Sequence, residues 1–170
     1  MHKGTTKKVA IYGMLIALAF IFSYLETLIP VPSNFIPGMK LGLANIVILI
    51  ALYMVGNTGA FILSIIRVLL TSITFGNMSM FWFSLAGALL SFIVMACLKK
   101  IKGFSIVGVS IAGGVAHNAG QIIVAMIVLG EVIVYYLLIL VITGTITGTA
   151  IGMVGAVIYS KLKPAFRHIN

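Results

Sequence analysis

Polar side chains that could bind a ligand occur within long apolar stretches of the sequence. Arg67 lies in the middle of one stretch, and His117, Asn118 and Gln121 lie together in another. His117 and Gln121 are four residues apart and Asn118 and Gln121 three apart, so a helix brings all three to one face. A guanidinium can bind an anion, and an imidazole with two amides can hydrogen-bond a polar solute. The structural alternatives are an Arg67 that joins helices and a polar clamp between helices on the His117 side.

Lys40 and Asn45 form a second candidate group, after a Pro-rich loop. We expect both at the outer end of a short second helix, with the acids Glu26 and Glu131 beside them at the outer mouth. Either acid could pair with Lys40 there. Both acids are then expected to be too near the surface to pair with Arg67, which leaves backbone carbonyls, water or an anionic ligand as its partners. A site without net negative charge favours a neutral or anionic solute over a cation.

The chain lacks the residues that several types of reaction need. The chain contains no Asp and two widely separated Glu residues, so it has no carboxylate cluster to hold Mg²⁺ for diphosphate chemistry. It also has no phosphate-binding loop for ATP. Cys97 is the single cysteine, which excludes a cysteine-based metal cluster, and we expect it to be a small core residue. We therefore predict no metal, no cofactor and no catalysis on prenyl diphosphates by this chain alone.

The composition sets the fold class. Hydrophobic residues make up 62% of the chain and charged residues 8%, whereas about a quarter of the residues in a soluble domain are charged. We predict an all-α integral membrane protein with one membrane domain, residues 1–170. The net charge of +9 would suggest a nucleic acid partner in a soluble protein. Here the basic residues flank apolar segments, so we predict contact with lipid headgroups and no nucleic acid.

Six apolar segments are candidates to span the bilayer as a helical bundle. They cover about 9–29, 41–55, 60–75, 81–98, 104–129 and 132–159. The second is short for a span, since crossing takes about 20 residues. Basic residues cluster in three places: Lys3, Lys7 and Lys8; Lys99, Lys100 and Lys102; Lys161, Lys163 and Arg167. Short segments rich in Lys and Arg stay in the cytoplasm, so six spans place all three clusters and both termini inside.

Small residues predict close helix packing. In the last helix, Gly144, Gly148 and Gly152 recur every four residues and allow another helix to approach. Threonines alternate with these glycines at Thr143, Thr145, Thr147 and Thr149. Their hydroxyls can bond carbonyls one turn back, which we favour over solute contact. The first helix carries Ala10, Gly13 and Ala17 on one side, a stripe that could dock an outside partner.

The order of these features resembles a known bacterial family. The segments Val9–Ala19, Ser23–Glu26 and Gly38–Asn45 resemble the Gx transporters, also labelled heptaprenyl diphosphate synthase component I. The resemblance covers nearly the whole chain, and Lys40–Asn45 is its most specific part. The family is similar in size and helix count to the substrate-binding S components of energy-coupling factor (ECF) transporters, which work with a coupling protein and two ATPases to import micronutrients.

This resemblance implies a membrane subunit that binds a small solute in the outer half of a six-helix bundle, in the bacterial cytoplasmic membrane. It also implies that an ECF coupling protein docks on Ala10, Gly13 and Ala17. The prenyl synthase label supports another function, a membrane accessory subunit of heptaprenyl diphosphate synthase in isoprenoid or quinone synthesis. That role needs a separate catalytic partner, because the chain has no Asp-rich motif.

Overall fold

A computed structural model describes residues 3–28 and 42–166. Apart from one 3₁₀ helix, the elements in these residues are α-helices, and short turns join those within residues 42–166. They are α1 (Lys3–Leu28), α2 (Asn45–Met54), α3 (Asn57–Phe75), α4 (Met78–Leu98), α5 (Ile106–Leu129), a 3₁₀ helix (Glu131–Tyr136) and α6 (Leu137–Phe166). All except α2 and the 3₁₀ helix are long and apolar enough to cross a membrane. The predicted all-helical class is therefore confirmed, and the chain is a multi-pass membrane protein.

Local sequence explains where several helices begin. The Asn77 side chain accepts a hydrogen bond from the Met80 N–H at 2.9 Å, and this caps α4. Ser105 caps α5 in the same way through the Gly108 N–H at 3.0 Å. Gly56 turns the chain between α2 and α3 with a φ of 96°, which favours glycine. The connections from α2 onward are short, so these consecutive helices lie side by side.

The short helix α2 forms the centre of the core. It has 10 residues, which is about 15 Å of helix and half of the hydrocarbon thickness. It is apolar around its whole circumference, and Ile48, Leu49 and Leu52 are almost completely buried. The segment predicted as the second span, 41–55, is thus a buried core helix that begins inside the bundle.

The helix α5 packs against α4 on one side and α6 on the other. A Cβ added at Gly148 of α6 would lie 2.7 Å from the Ile111 Cα, and one added at Gly152 would lie 2.8 Å from the Val107 Cα. The predicted glycine stripe is confirmed, and the helix that approaches it is α5. The expected carbonyl bonds of the threonines are confirmed as well, since the Thr147 hydroxyl donates to the Thr143 carbonyl at 2.8 Å and its neighbours bond carbonyls of the same helix.

One expectation was wrong, and one helix boundary differs from the predicted one. Cys97 is exposed on α4 rather than buried in the core, because it lies about half a turn from Met95, which is buried against Gly113 of α5. The last segment, predicted to be helical from residue 132, begins as the 3₁₀ helix, and α6 starts at Leu137 and continues to Phe166.

Candidate functional site

The interior of the bundle contains a group of polar side chains that are buried together. It comprises Ser23, Glu26, Ser64, Arg67, Thr71, Ser84, Ser91, Ser110, His117, Asn118 and Gln121. These residues come from α1, α3, α4 and α5. Polar groups in a membrane interior need partners or a function, because leaving each of them unsatisfied in hydrocarbon costs on the order of several kcal/mol.

The first of two small cavities contains the charged residues, and we call it the Arg67 cavity. It is lined by Ser23, Glu26, Gly42, Arg67, Val68, Thr71, Ser84 and His117. Its volume is about 10 Å³, which is close to the minimum that holds one water. Each charged residue is more than nine-tenths buried, with Arg67 7% exposed and Glu26 6% exposed.

Glu26 and Arg67 interact electrostatically inside this cavity. The Glu26 carboxylate also accepts a hydrogen bond from the Gly42 N–H, just before α2. The expectation that Glu26 is too near the surface to interact with Arg67 was wrong, since both line one buried cavity. The physical reason is the depth of α2: because this helix is short and begins inside the bundle, the chain before it returns to the interior and supplies an N–H to Glu26.

The second cavity, which we call the Asn45 cavity, contains uncharged groups. It is lined by Asn45, Ser91, Met95, Ser110, Gly113, Gly114, His117, Asn118, Thr147, Gly148 and Ile151, and its volume is also about 10 Å³. His117 lines both cavities and therefore lies between them. The Ser91 hydroxyl has no hydrogen-bond partner within the described part of the chain.

His117 and the amides around it form defined contacts. The Gln121 amide Nε2 lies 3.3 Å from the His117 Nε2. This contact joins the imidazole to the amide one turn later on the same helix, and the tautomer of the ring decides which of the two groups donates. Asn118 donates through Nδ2 to the Leu140 carbonyl of α6 at 2.7 Å. Asn118 thus connects α5 to α6, as the clamp alternative predicted, and also lines the Asn45 cavity.

The predicted site residues fall into three groups. Arg67, His117 and Asn118 line the cavities with Asn45, and Gln121 joins them through His117. Lys40 lies outside the described residues, and Glu131 begins the 3₁₀ helix. The small-residue stripe of α1 is exposed at Ala10, Gly13 and Ala17, and a Cβ added at Gly13 would meet no atom within 4 Å.

Sequence reasoning missed several members of the group. They are Ser23, Ser64, Thr71, Ser84, Ser91 and Ser110, together with the inward position of Glu26. A signal was available on α1, because Leu15, Ala19, Ser23 and Glu26 are spaced by four, four and three residues and share one helix face. The same spacing places Thr71 one turn after Arg67 on α3.

The site is electrically neutral when His117 is uncharged, since one carboxylate balances one guanidinium. Among the described residues, no three His, Cys, Asp or Glu side chains lie together in a way that could hold a metal ion. The groups present can hydrogen-bond water or a polar solute and can exchange protons. The two cavities hold water-sized volumes, so a larger solute requires the helices around them to move.

These observations define a helical membrane protein with a neutral, buried polar site that contains one pair of opposite charges. The chain belongs to the family described as heptaprenyl diphosphate synthase component I, whose sequence model matches residues 15–158. The expected family is therefore confirmed. Comparisons with curated proteins and with solved structures give no significant match.

Proposed function

We propose that this chain is the substrate-binding membrane subunit of an uptake transporter for a small solute or micronutrient, with an S-component-like six-helix bundle. The main support is the set of buried polar side chains around Glu26, Arg67 and His117, within helices that are otherwise apolar. Ionisable residues inside a membrane protein are costly and typically mark solute or ion pathways.

The charge balance of the site supports a small solute that is neutral or anionic. Arg67 and Glu26 neutralise each other, so a neutral polar solute can enter without leaving a buried charge uncompensated. An anionic solute can bind Arg67 only if the negative charge of Glu26 is removed or displaced. Binding is proposed to involve Arg67, His117, Asn118, Gln121 and Asn45, with Lys40 near the entrance.

The stripe of Ala10, Gly13 and Ala17 supports the proposed energy source. The three residues are exposed on α1, and small residues allow a partner helix to approach closely within a membrane. We propose that an ECF coupling protein with its two ATPases docks here, in the bacterial cytoplasmic membrane, with both termini of this chain in the cytoplasm.

A substitution at Gly13 tests the docking without disturbing the bundle. Gly13 is exposed and a Cβ added there would meet no atom within 4 Å, so the folded yield of Gly13→Leu is expected to stay at the wild-type level. Co-purification of coupling protein and ATPases is expected to be lost. Unchanged co-purification from Gly13→Leu, or their absence from the wild-type preparation, contradicts the proposed docking.

The family name supports a second candidate, a membrane accessory subunit of heptaprenyl diphosphate synthase. In that role the bundle holds a polyprenyl chain for a soluble catalytic partner. Co-purification separates the two functions, because a soluble prenyltransferase in place of ATPases supports the synthase role. Native mass spectrometry of the gently purified protein adds a second test, since a retained small polar solute supports transport and a retained polyprenyl diphosphate supports the synthase role.

A further inference from the structure

We propose that the Arg67 cavity binds a carboxylate-type anion together with one proton, with the anion taking the place of Glu26 beside Arg67 and the proton going to Glu26. The inference rests on the proposed function and names the solute class of the same site. It makes solute binding depend on pH.

The first observation is the unused hydrogen-bonding capacity of Arg67. Its Nε has no hydrogen-bond partner within residues 3–28 and 42–166, although the side chain is only 7% exposed. A guanidinium offers five N–H donors arranged to bind a carboxylate through two of them. Arg67 therefore interacts with the charge of Glu26 and still presents a buried donor to a second acceptor.

The second observation is the net charge of the cavity. The titratable side chains that line it are Glu26 from α1, Arg67 from α3 and His117 from α5. The lining residues from α4 and from the turn before α2, Ser84 and Gly42, carry no charge. An added anion would leave a net charge of minus one in a buried site, which is strongly unfavourable. Uptake of one proton restores neutrality.

Glu26 and His117 are the two groups in the cavity that can take up this proton. Their contacts assign the proton to Glu26. When an anion occupies Arg67, Glu26 loses the cation that stabilises its charged form, so its affinity for a proton rises. A protonated carboxyl keeps a carbonyl oxygen that can still accept from the Gly42 N–H. The Nε2 of His117 is already hydrogen-bonded to the Gln121 amide, whereas Glu26 is the group whose charge interacts with Arg67.

The experiment measures formate binding to the purified full-length chain, because formate is the smallest carboxylate probe. Calorimetry at constant ionic strength, in two buffers of different ionisation enthalpy, counts the protons taken up. We expect one proton per formate, and an apparent affinity that becomes about tenfold tighter for each unit of pH decrease. Formate binding without proton uptake, or no formate binding at any pH, overturns the proposal.

Variants assign the proton to a residue. Glu26→Gln imitates the protonated carboxyl, so it is expected to bind formate with an affinity that does not change with pH. The exposed Thr74 on α3 bonds only its own helix in the described structure, so Thr74→Val is a matched control and should keep the wild-type pH slope. A pH slope retained in Glu26→Gln, or lost in His117→Gln, overturns the assignment. If Glu26→Gln does not fold, the proton count on the wild-type chain tests the coupling and the pH slope of His117→Gln tests the assignment.

This outcome is separable from the proposed function. Formate binding without a proton removes the coupling and leaves a solute-binding subunit in place. The docking of transport subunits and the retained solute are measured on preparations without formate, so they stand or fall independently.

Discussion

Arg67 and Glu26 share a buried cavity, and this changes what a substitution at either position does. The sequence suggested that Arg67 has no acidic partner, in which case its removal would leave the fold intact. With Glu26 beside it, removal of Arg67 leaves a buried carboxylate without its cation. Breaking a buried pair in this way is much more costly than removing both of its members.

We therefore expect Arg67→Leu to lower the free energy of unfolding by about 3–5 kcal/mol. The double variant Arg67→Leu with Glu26→Gln is expected to recover a large part of that loss, because no uncompensated charge remains. Unfolding in detergent, followed for both single variants and the double variant, gives the coupling energy of the pair. Additive losses in the double variant would contradict the pairing.

Lys99, just beyond the end of α4, provides a pH-dependent prediction. Its Nζ donates to the Leu52 carbonyl at 2.5 Å and lies 5.4 Å from the centre of the Tyr53 ring. Partial burial lowers the pKa of Lys99 from 10.5. The unfolded chain therefore holds the Lys99 proton more tightly, and the stability contribution of this residue increases as pH rises from the lowered pKa towards 10.5.

The measurement is the difference in melting temperature between wild type and Lys99→Met, taken at about pH 7 and at about pH 10. The upper pH is chosen close to the ordinary pKa of lysine. We expect the difference to shift in favour of the wild type at the higher pH. The shift is expected to be small, because Lys99 is partly exposed and solvent screens its charge. A shift in the opposite direction contradicts this account of its burial.

Individual polar residues show what sequence reasoning could reach. Arg67 and His117 were predictable because each interrupts an apolar stretch, where a polar group has a high cost. The inward position of Glu26 was not predictable from its place near the end of α1. It depends on Gly42 returning to the interior, which is a tertiary contact between segments 16 residues apart.

At the scale of helices, the α5–α6 contact depends on glycine. Gly144 and Gly114 face each other, since a Cβ added at Gly144 would lie 3.0 Å from the Gly114 carbonyl oxygen. This close approach places Asn118 within reach of the Leu140 carbonyl. The four-residue repeat made the contact predictable, but the sequence could not say which helix would approach.

Gly148→Leu is expected to separate α5 from α6, because even its Cβ would lie 2.7 Å from the Ile111 Cα and 2.9 Å from the Ser110 carbonyl oxygen. The atoms it meets belong to the backbone, so no side-chain rotation removes the clash. We expect a lower folded yield and a lower melting temperature in detergent. Gly13→Leu, at an exposed position where an added Cβ meets no atom within 4 Å, is the matched control, and equal melting temperatures for both variants would contradict this packing.

For α2, sequence reasoning found the segment but not its role. An apolar run of this length suits both a short span and a buried core helix, and hydropathy alone does not separate them. The difference matters for the site. Because α2 covers about half of the bilayer thickness, by its helical rise, its first residue, Asn45, lies in the interior beside His117.

At the scale of the whole molecule, contacts between distant helices fix which helix ends lie together. Phe20 and Tyr24 of α1 contact the Phe75 ring of α3, with ring centres 5.1 and 5.0 Å apart. An added Cβ on Gly59, at the start of α3, would meet the Tyr12 hydroxyl. Helices α1 and α3 therefore run in the same direction, and the chain must return through α2 between them.

This arrangement gathers the basic clusters at one end of the bundle. Lys99 bonds the last turn of α2, and Tyr53 of α2 contacts Tyr159 of α6 at 5.6 Å between ring centres. Lys163 lies over the same Tyr159 ring. The end of α4, the end of α6 and the start of α1 thus lie on one side, as the distribution of Lys and Arg had predicted.

Because positively charged segments are retained in the cytoplasm, we expect this side to face the cytoplasm. Tags at the N-terminus, beside Lys100 and at the C-terminus are each expected to resist a membrane-impermeant reagent in intact cells and to react after the cells are opened. A tag in the turn at Gly76, between α3 and α4, is the matched control and should react in intact cells. The tags also test the topology, because α2 covers only about half of the bilayer thickness, by its helical rise. If α2 did not carry the chain back to the basic side, α3 would start on the other face, and the tag beside Lys100 would react from outside while the tag at the N-terminus stayed protected.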